Sequence, residues 1–155
     1  MYSQLYFDYN ATTPCDQEVL EAMLPYFKEH FGNPSSSHHP YGWLAKSAVE
    51  EARSEIASAL KTSPDALLFT SGATESINTI LKGVARKNRK QRNHILTTKA
   101  EHKAVLDTCD WLDRNSLANV SYIGVDEHGT VDLEALKRVI RPETVLIAIM
   151  HSNNE

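Results

Sequence analysis

From Ile95 onward, short apolar runs alternate with amphipathic stretches in a regular order, and few folds accommodate that pattern. Ile95-Leu96-Thr97-Thr98, Val120-Ser121-Tyr122-Ile123-Gly124-Val125 and Val145-Leu146-Ile147-Ala148-Ile149-Met150 read as strands. Residues 103–115 and 133–140 carry apolar side chains at helical spacing and read as helices. Strand and helix in alternation imply an α/β fold with a mostly parallel sheet flanked by helices, in which ligands gather at the carboxyl ends of the strands. Candidate functional residues are therefore those that follow strands. They include Ala100-Glu101-His102 and His151-Ser152-Asn153-Asn154-Glu155.

The same logic applies one unit earlier. Leu67-Leu68-Phe69 is a short apolar run expected to form a buried strand, and Ile77, Ile80, Leu81, Val84 and Ala85 recur at helical spacing after it. Between them lies Thr70-Ser71-Gly72-Ala73-Thr74-Glu75-Ser76. Gly72 allows a tight reversal, and the hydroxyls of Ser71, Thr74 and Ser76 flank the unpaired N–H groups of a first helical turn. Donors, hydroxyls and the positive end of a helix dipole together make an anion cradle suited to a phosphate monoester.

The chain before this turn is mostly helical. Leu5-Tyr6-Phe7-Asp8-Tyr9 reads as extended, and Pro14 disfavours helix in the residue before it. A helix is expected from Cys15 or Asp16, with Val19, Leu20, Met23, Leu24 and Phe27 on one face. Gly32-Asn33-Pro34-Ser35-Ser36-Ser37-His38-His39-Pro40 reads as a loop. A longer helix follows over residues 41–61, with Leu44, Ala48, Ala52, Ile56 and Leu60 as its expected buried stripe.

Composition narrows the function classes. Sixteen basic against 20 acidic residues give a formal net charge of −4, which favours neither a nucleic-acid nor a membrane partner. The basic run 86–92 closes a helix and complements its dipole. The two cysteines, Cys15 and Cys109, lie far apart without a C-x-x-C pattern, so neither a disulfide framework nor a zinc site is indicated. Both read as structural. No secretory leader or membrane-length apolar run is evident, and a cytoplasmic protein is the expectation.

These segments carry a resemblance. Phe7-Asp8-Tyr9-Asn10-Ala11-Thr12-Thr13-Pro14, Phe31-Gly32-Asn33-Pro34-Ser35-Ser36, Phe69-Thr70-Ser71-Gly72-Ala73-Thr74-Glu75-Ser76, Glu101-His102-Lys103-Ala104-Val105-Leu106 and Asn153-Asn154-Glu155 resemble, in order, the N-terminal signatures of cysteine desulfurases. These are pyridoxal-phosphate enzymes of the class V aminotransferase group with the type I transferase fold. The resemblance implies that residues 1–40 lead into the large domain and that residues 41–155 form part of that pyridoxal 5'-phosphate-binding domain. It implies that Ala73 and Thr74 hold the cofactor phosphate, that His102 stacks on the pyridine ring and moves protons, and that Asn154 bonds the phenolic oxygen. Asn153 and Glu155 resemble framework positions, and His39 falls where the family has a histidine near the mouth of the site.

The implied reaction converts L-cysteine to L-alanine and leaves sulfur as an enzyme-bound persulfide for iron–sulfur cluster assembly or tRNA thiolation, through an iron–sulfur scaffold or another sulfur-acceptor protein, in a homodimer. The family's Schiff-base lysine and persulfide cysteine belong to later segments. Lys103 follows His102 but sits in the earlier motif and is not expected to be that lysine. The expectation is that these 155 residues form the front part of a desulfurase's large domain and are inactive alone. Two other readings remain: a non-catalytic subunit that binds a full-length desulfurase, and another class V enzyme such as a selenocysteine lyase.

Overall fold

The structure, a computed structural model, describes residues 5–9, 11–88 and 93–153. Its contacts divide it into two compact units, Met1–Phe69 and Thr70–Glu155. The first contains α1 (Gln17–Lys28) and α2 (Pro40–Ala59). The second contains α3 (Ala73–Asn88), β1 (His94–Thr98), α4 (Lys103–Arg114), β2 (Asn119–Ile123), α5 (Leu133–Val139) and β3 (Thr144–Ala148). None of the described helices is long and apolar enough to cross a membrane.

In the first unit the helices begin on side-chain caps. Asp16 accepts the N–H of Glu18 at 2.8 Å to start α1, and Nδ1 of His39 accepts the N–H of Gly42 at 3.2 Å to start α2. The loop before α2 folds back so closely that a Cβ on Gly42 would collide with the Ser36 carbonyl, and one on Gly32 with the Tyr41 carbonyl. Expected and observed burial diverge along α2. The buried positions are Gly42, Ala45 and Ala57, whereas Leu44 and Leu60 are 59% and 64% exposed. Ile56, also of the expected stripe, is exposed. Small residues are covered by the nearby loop, and residues 5–69 supply too little surface to cover the larger ones. The apolar face of α1 is exposed for the same reason.

The expected strand at Leu67-Leu68-Phe69 does not form. Leu67 has extended backbone, but Leu68 is 71% exposed and the segment has no sheet partner among the described residues. An extended segment becomes a strand only when a neighbour completes its ladder. Here the Leu67 carbonyl instead accepts from Nη1 of Arg53 at 2.7 Å, and the same guanidinium lies 4.6 Å from the Phe69 ring centre.

The second unit matches the α/β expectation. Its sheet has the order β2-β1-β3, with β1 parallel to both neighbours. All five residues of β1 are buried, as a central strand requires, while β2 and β3 are partly open. The core gathers Leu81 and Ala85 from α3, Ile95 from β1, Val105, Cys109 and Leu112 from α4, and Ala118. These are the helical positions spaced three and four apart, so each helix lays one apolar stripe on the sheet. The start of β1 is tied to both neighbours through His94, whose ring nitrogens face the Thr144 and Ser121 hydroxyls.

Candidate functional site

Two helices begin at the carboxyl edge of this sheet. α4 starts where β1 ends, and α3 precedes β1 in the chain, so its last turn leads toward the strand's start. The first half of α3 accordingly lies beside the far end of β3. Ile77, Ile80, Val105, Ile149, Met150 and Glu101 help enclose an apolar cavity of about 360 Å³ there. α3 and α4 also pack against each other.

The first turn of α3 is shaped by its own side chains. Oε2 of Glu75 accepts the N–H of Ser71 at 2.6 Å and its hydroxyl at 2.7 Å. Those bonds hold the Glu75 carboxyl below its usual range, the backbone N–H contributing most. The hydroxyls of Thr70 and Ser76 meet at 2.7 Å, and Ser76 donates its N–H to the Gly72 carbonyl at 3.1 Å. The turn is closed by these bonds, yet no described acceptor takes the N–H groups of Ala73 and Thr74. Both residues are exposed. Unpaired donors at the positive end of a sixteen-residue helix fit a phosphate group.

His102 caps α4. Its Nδ1 accepts the N–H of Ala104 at 3.1 Å. A backbone N–H can only donate, so the neutral ring carries its proton on Nε2. The ring is exposed, with Nε2 free of any described partner. Lys103, the next residue, points into solvent and pairs with Asp107 at 3.3 Å.

The loops after β1 and β3 are stitched together by side chains. Glu101, only 7% exposed, accepts the hydroxyl of Thr98 at 2.8 Å. The N–H of Met150 donates to both of its oxygens, at 3.0 and 3.1 Å. Nδ2 of Asn153 donates to the Ala100 carbonyl at 2.8 Å. A polar cavity of about 460 Å³ lies beside this junction, bordered by Thr98, Glu101, His128, Thr130, His151 and Asn153.

The residues singled out from sequence thus fall in separate places. Ala73 and Thr74 are neighbours at the start of α3, and His102 stands at the start of the adjacent α4. Neither cavity at the sheet edge is lined by these three. Asn154 and Glu155 lie outside the described residues, as do Asn10, residues 1–4 and residues 89–92 of the basic run. His39 caps α2 in the other unit. Cys15 is exposed, whereas Cys109 is fully buried and its thiol is pushed up to about 11, chiefly by burial and then by the Glu101 charge. The tie made by Glu101 was not legible beforehand. One carboxylate after a strand has no periodic signal, and only the Thr98-x-x-Glu101 spacing hints at a local bond.

A parallel sheet with two helices starting at its carboxyl edge defines the general class. Comparison with known proteins gives the particular one: residues 5–155 match the Aminotransferase class-V model, and the chain belongs to that family. It is 50% identical over 151 residues to a cysteine desulfurase IscS of Neisseria meningitidis serogroup C / serotype 2a, covering 97% of this chain and 37% of the relative. It is 48% identical over the same length to the cysteine desulfurase IscS of Rickettsia akari. Among solved structures, a NifS-like protein superposes with a TM-score of 0.93 at 45% identity, covering 99% of this chain and 42% of that one. DndA from Streptomyces lividans superposes with a TM-score of 0.81 at 41% identity, covering 97% of this chain and 42% of that one. The chain therefore spans a little over a third of the length of these relatives.

Proposed function

We propose that this chain is the coenzyme-binding front part of a pyridoxal-phosphate-dependent cysteine desulfurase, which converts L-cysteine to alanine and passes the sulfur on as a persulfide. The observation that carries the reading is the pair of N–H groups on Ala73 and Thr74 that no described acceptor takes, in a chain about half identical to cysteine desulfurases. The fit to the coenzyme is chemical: a closed turn, open donors and the Thr74 hydroxyl suit the doubly charged phosphate. Bound there, pyridoxal phosphate supplies the electron sink that lets the substrate's Cα–H bond ionise.

This chain's own residues then have defined tasks. Ala73 and Thr74 hold the phosphate by N–H and hydroxyl. His102 places a flat ring for stacking, and its Nε2 holds the proton that must move during turnover. Asn154 is assigned the hydrogen bond from its side-chain amide to the coenzyme's phenolic oxygen. Residues 1–40 lead into the large domain and residues 41–155 form part of it. The persulfide carrier is the cysteine that the resemblance assigns to a later segment, and Cys109, buried and held as a thiol, does not serve in its place. The partners are a second copy of the enzyme and an iron–sulfur scaffold or other sulfur-acceptor protein, in the cytoplasm.

The test joins residues 1–155 to the C-terminal remainder of the Neisseria relative and supplies coenzyme and L-cysteine. Alanine and sulfide should appear in equal amounts under reducing conditions. His102→Gln should slow their formation by roughly a hundredfold or more, the usual worth of a placed acid–base group. A joined chain that binds the coenzyme but leaves cysteine unchanged would remove the reading.

A further inference from the structure

We propose that Glu101 is a positioning residue, whose buried carboxylate locks the His102 loop to the end of β3 and so sets the imidazole against the segment that leads to Asn154. The proposal deepens the proposed function and rests on it for the role of His102. The geometry of the tie stands independently.

Glu101 is the residue directly before His102, and its side chain turns inward where β1 and β3 end. A carboxylate buried this deeply costs free energy unless its oxygens are satisfied by donors. Here Oε1 takes the Thr98 hydroxyl and the Met150 N–H, and Oε2 takes the same N–H. The donor from Thr98 comes from the strand that leads into the loop, and the donor from Met150 comes from just beyond the neighbouring strand. One side chain therefore fixes both loops at their roots. Asn153 adds a second stitch from the β3 side to the Ala100 carbonyl. Together, the Glu101 and Asn153 bonds clamp Ala100 and Glu101 to Met150 and Asn153. α4 begins at once after this clamp, capped by the His102 ring itself, so the ring has little freedom to drift.

The carboxylate's charge is dispensable in this arrangement, whereas its reach is not. The amide oxygen of Gln has the same length and can accept from both Thr98 and Met150. Ala removes the acceptor and leaves two donors facing each other with nothing between. That contrast separates a positioning role from simple filling of space.

The experiment uses the joined full-length chain, loaded with coenzyme. E101A should lower kcat by about tenfold or more while KM for cysteine stays within about twofold, the scale set by unsatisfied buried donors. E101Q should restore kcat to within about threefold of the parent, because both acceptor bonds survive. T98V, which removes the donor to Glu101 and with it the acceptor of the Ala100 N–H at 3.2 Å, should fall between them, and T98V/E101A should be slower than E101A by less than the T98V effect alone, since both act on one tie. Amide exchange at Met150, read in the same protein, should quicken in E101A and stay slow in E101Q. If E101A yields too little folded protein, T98V and E101Q carry the comparison. Unchanged kcat in E101A, or E101Q as slow as E101A with its fold intact, would overturn the proposal. If the parent binds no coenzyme, the proposed function fails, and Met150 exchange alone then decides whether the tie exists.

Discussion

Nδ1 of His94 lies 2.8 Å from the hydroxyl of Thr144, fifty residues further along the chain, and joins the central strand to β3 through a fully buried imidazole. The other nitrogen, Nε2, lies 2.9 Å from the Ser121 hydroxyl on β2. One ring thus spans all three strands. Burial holds its pKa below the ordinary value, helped by the nearby Arg141 charge and opposed by Glu143. Since the folded state binds this proton less readily than the unfolded chain, stability is complete above the unfolded value of about 6.5 and declines as pH falls below it. Urea denaturation between pH 8 and pH 5 should show that decline. It should be absent in a His94→Gln variant, whatever that variant's overall stability.

The two cysteines should differ sharply in reactivity. Cys15 is exposed, and Cys109 is buried with its thiol pushed up to about 11. Only thiolate reacts, so iodoacetamide at pH 8 should modify Cys15 and spare Cys109 until the protein is unfolded. Peptide mass spectrometry before and after denaturant reads the difference. Equal labelling of both in the native protein would contradict the burial of Cys109.

Gly42 has a steric requirement that its helical position conceals. Alanine is the better helix former, yet its Cβ would strike the Ser36 carbonyl. Gly42→Ala should therefore destabilise the protein by about 1–3 kcal/mol, the usual range for overpacking, as a lowered urea midpoint. A neutral or stabilising effect would mean that the 32–37 loop does not pack as described.

Asp132 starts the shortest described α-helix. Its Oδ1 accepts the N–H groups of Glu134 and Ala135 at 2.9 and 3.0 Å, and these bonds hold its carboxyl below the usual range. A seven-residue helix has little stability of its own, so the cap matters. Asp132→Ala should cost about 1 kcal/mol and Asp132→Asn much less, both read by denaturant midpoint.

Much of the second unit was legible in the sequence because its signals are local. The apolar runs at 95–98, 120–125 and 145–150 lie on the three strands to within two residues, and the helix read over 103–115 is α4 nearly residue for residue. Leu67-Leu68-Phe69 misled because an apolar run specifies burial only where a neighbouring strand exists. The stripe on α2 misled in the same way: period alone cannot tell whether covering surface is present, and Ala45 and Ala57 are buried because the chain nearby reaches them. At the site, Ala73 and Thr74 were legible as a helix start. His102 also acts as the cap of α4. The Glu101 tie depends on contacts between residues about fifty apart, Met150 among them, and no local pattern encodes those.

If the start of α3 grips a coenzyme phosphate, pyridoxal 5'-phosphate and dephosphorylated pyridoxal should differ in their binding to the joined full-length chain. Followed by absorbance, the phosphorylated form should bind at least tenfold more tightly, roughly the worth of charge-assisted hydrogen bonds, and Thr74→Ala should erode that preference. Equal affinity for the two forms, with Thr74→Ala indistinguishable from the parent, would rule out a phosphate grip at the start of α3.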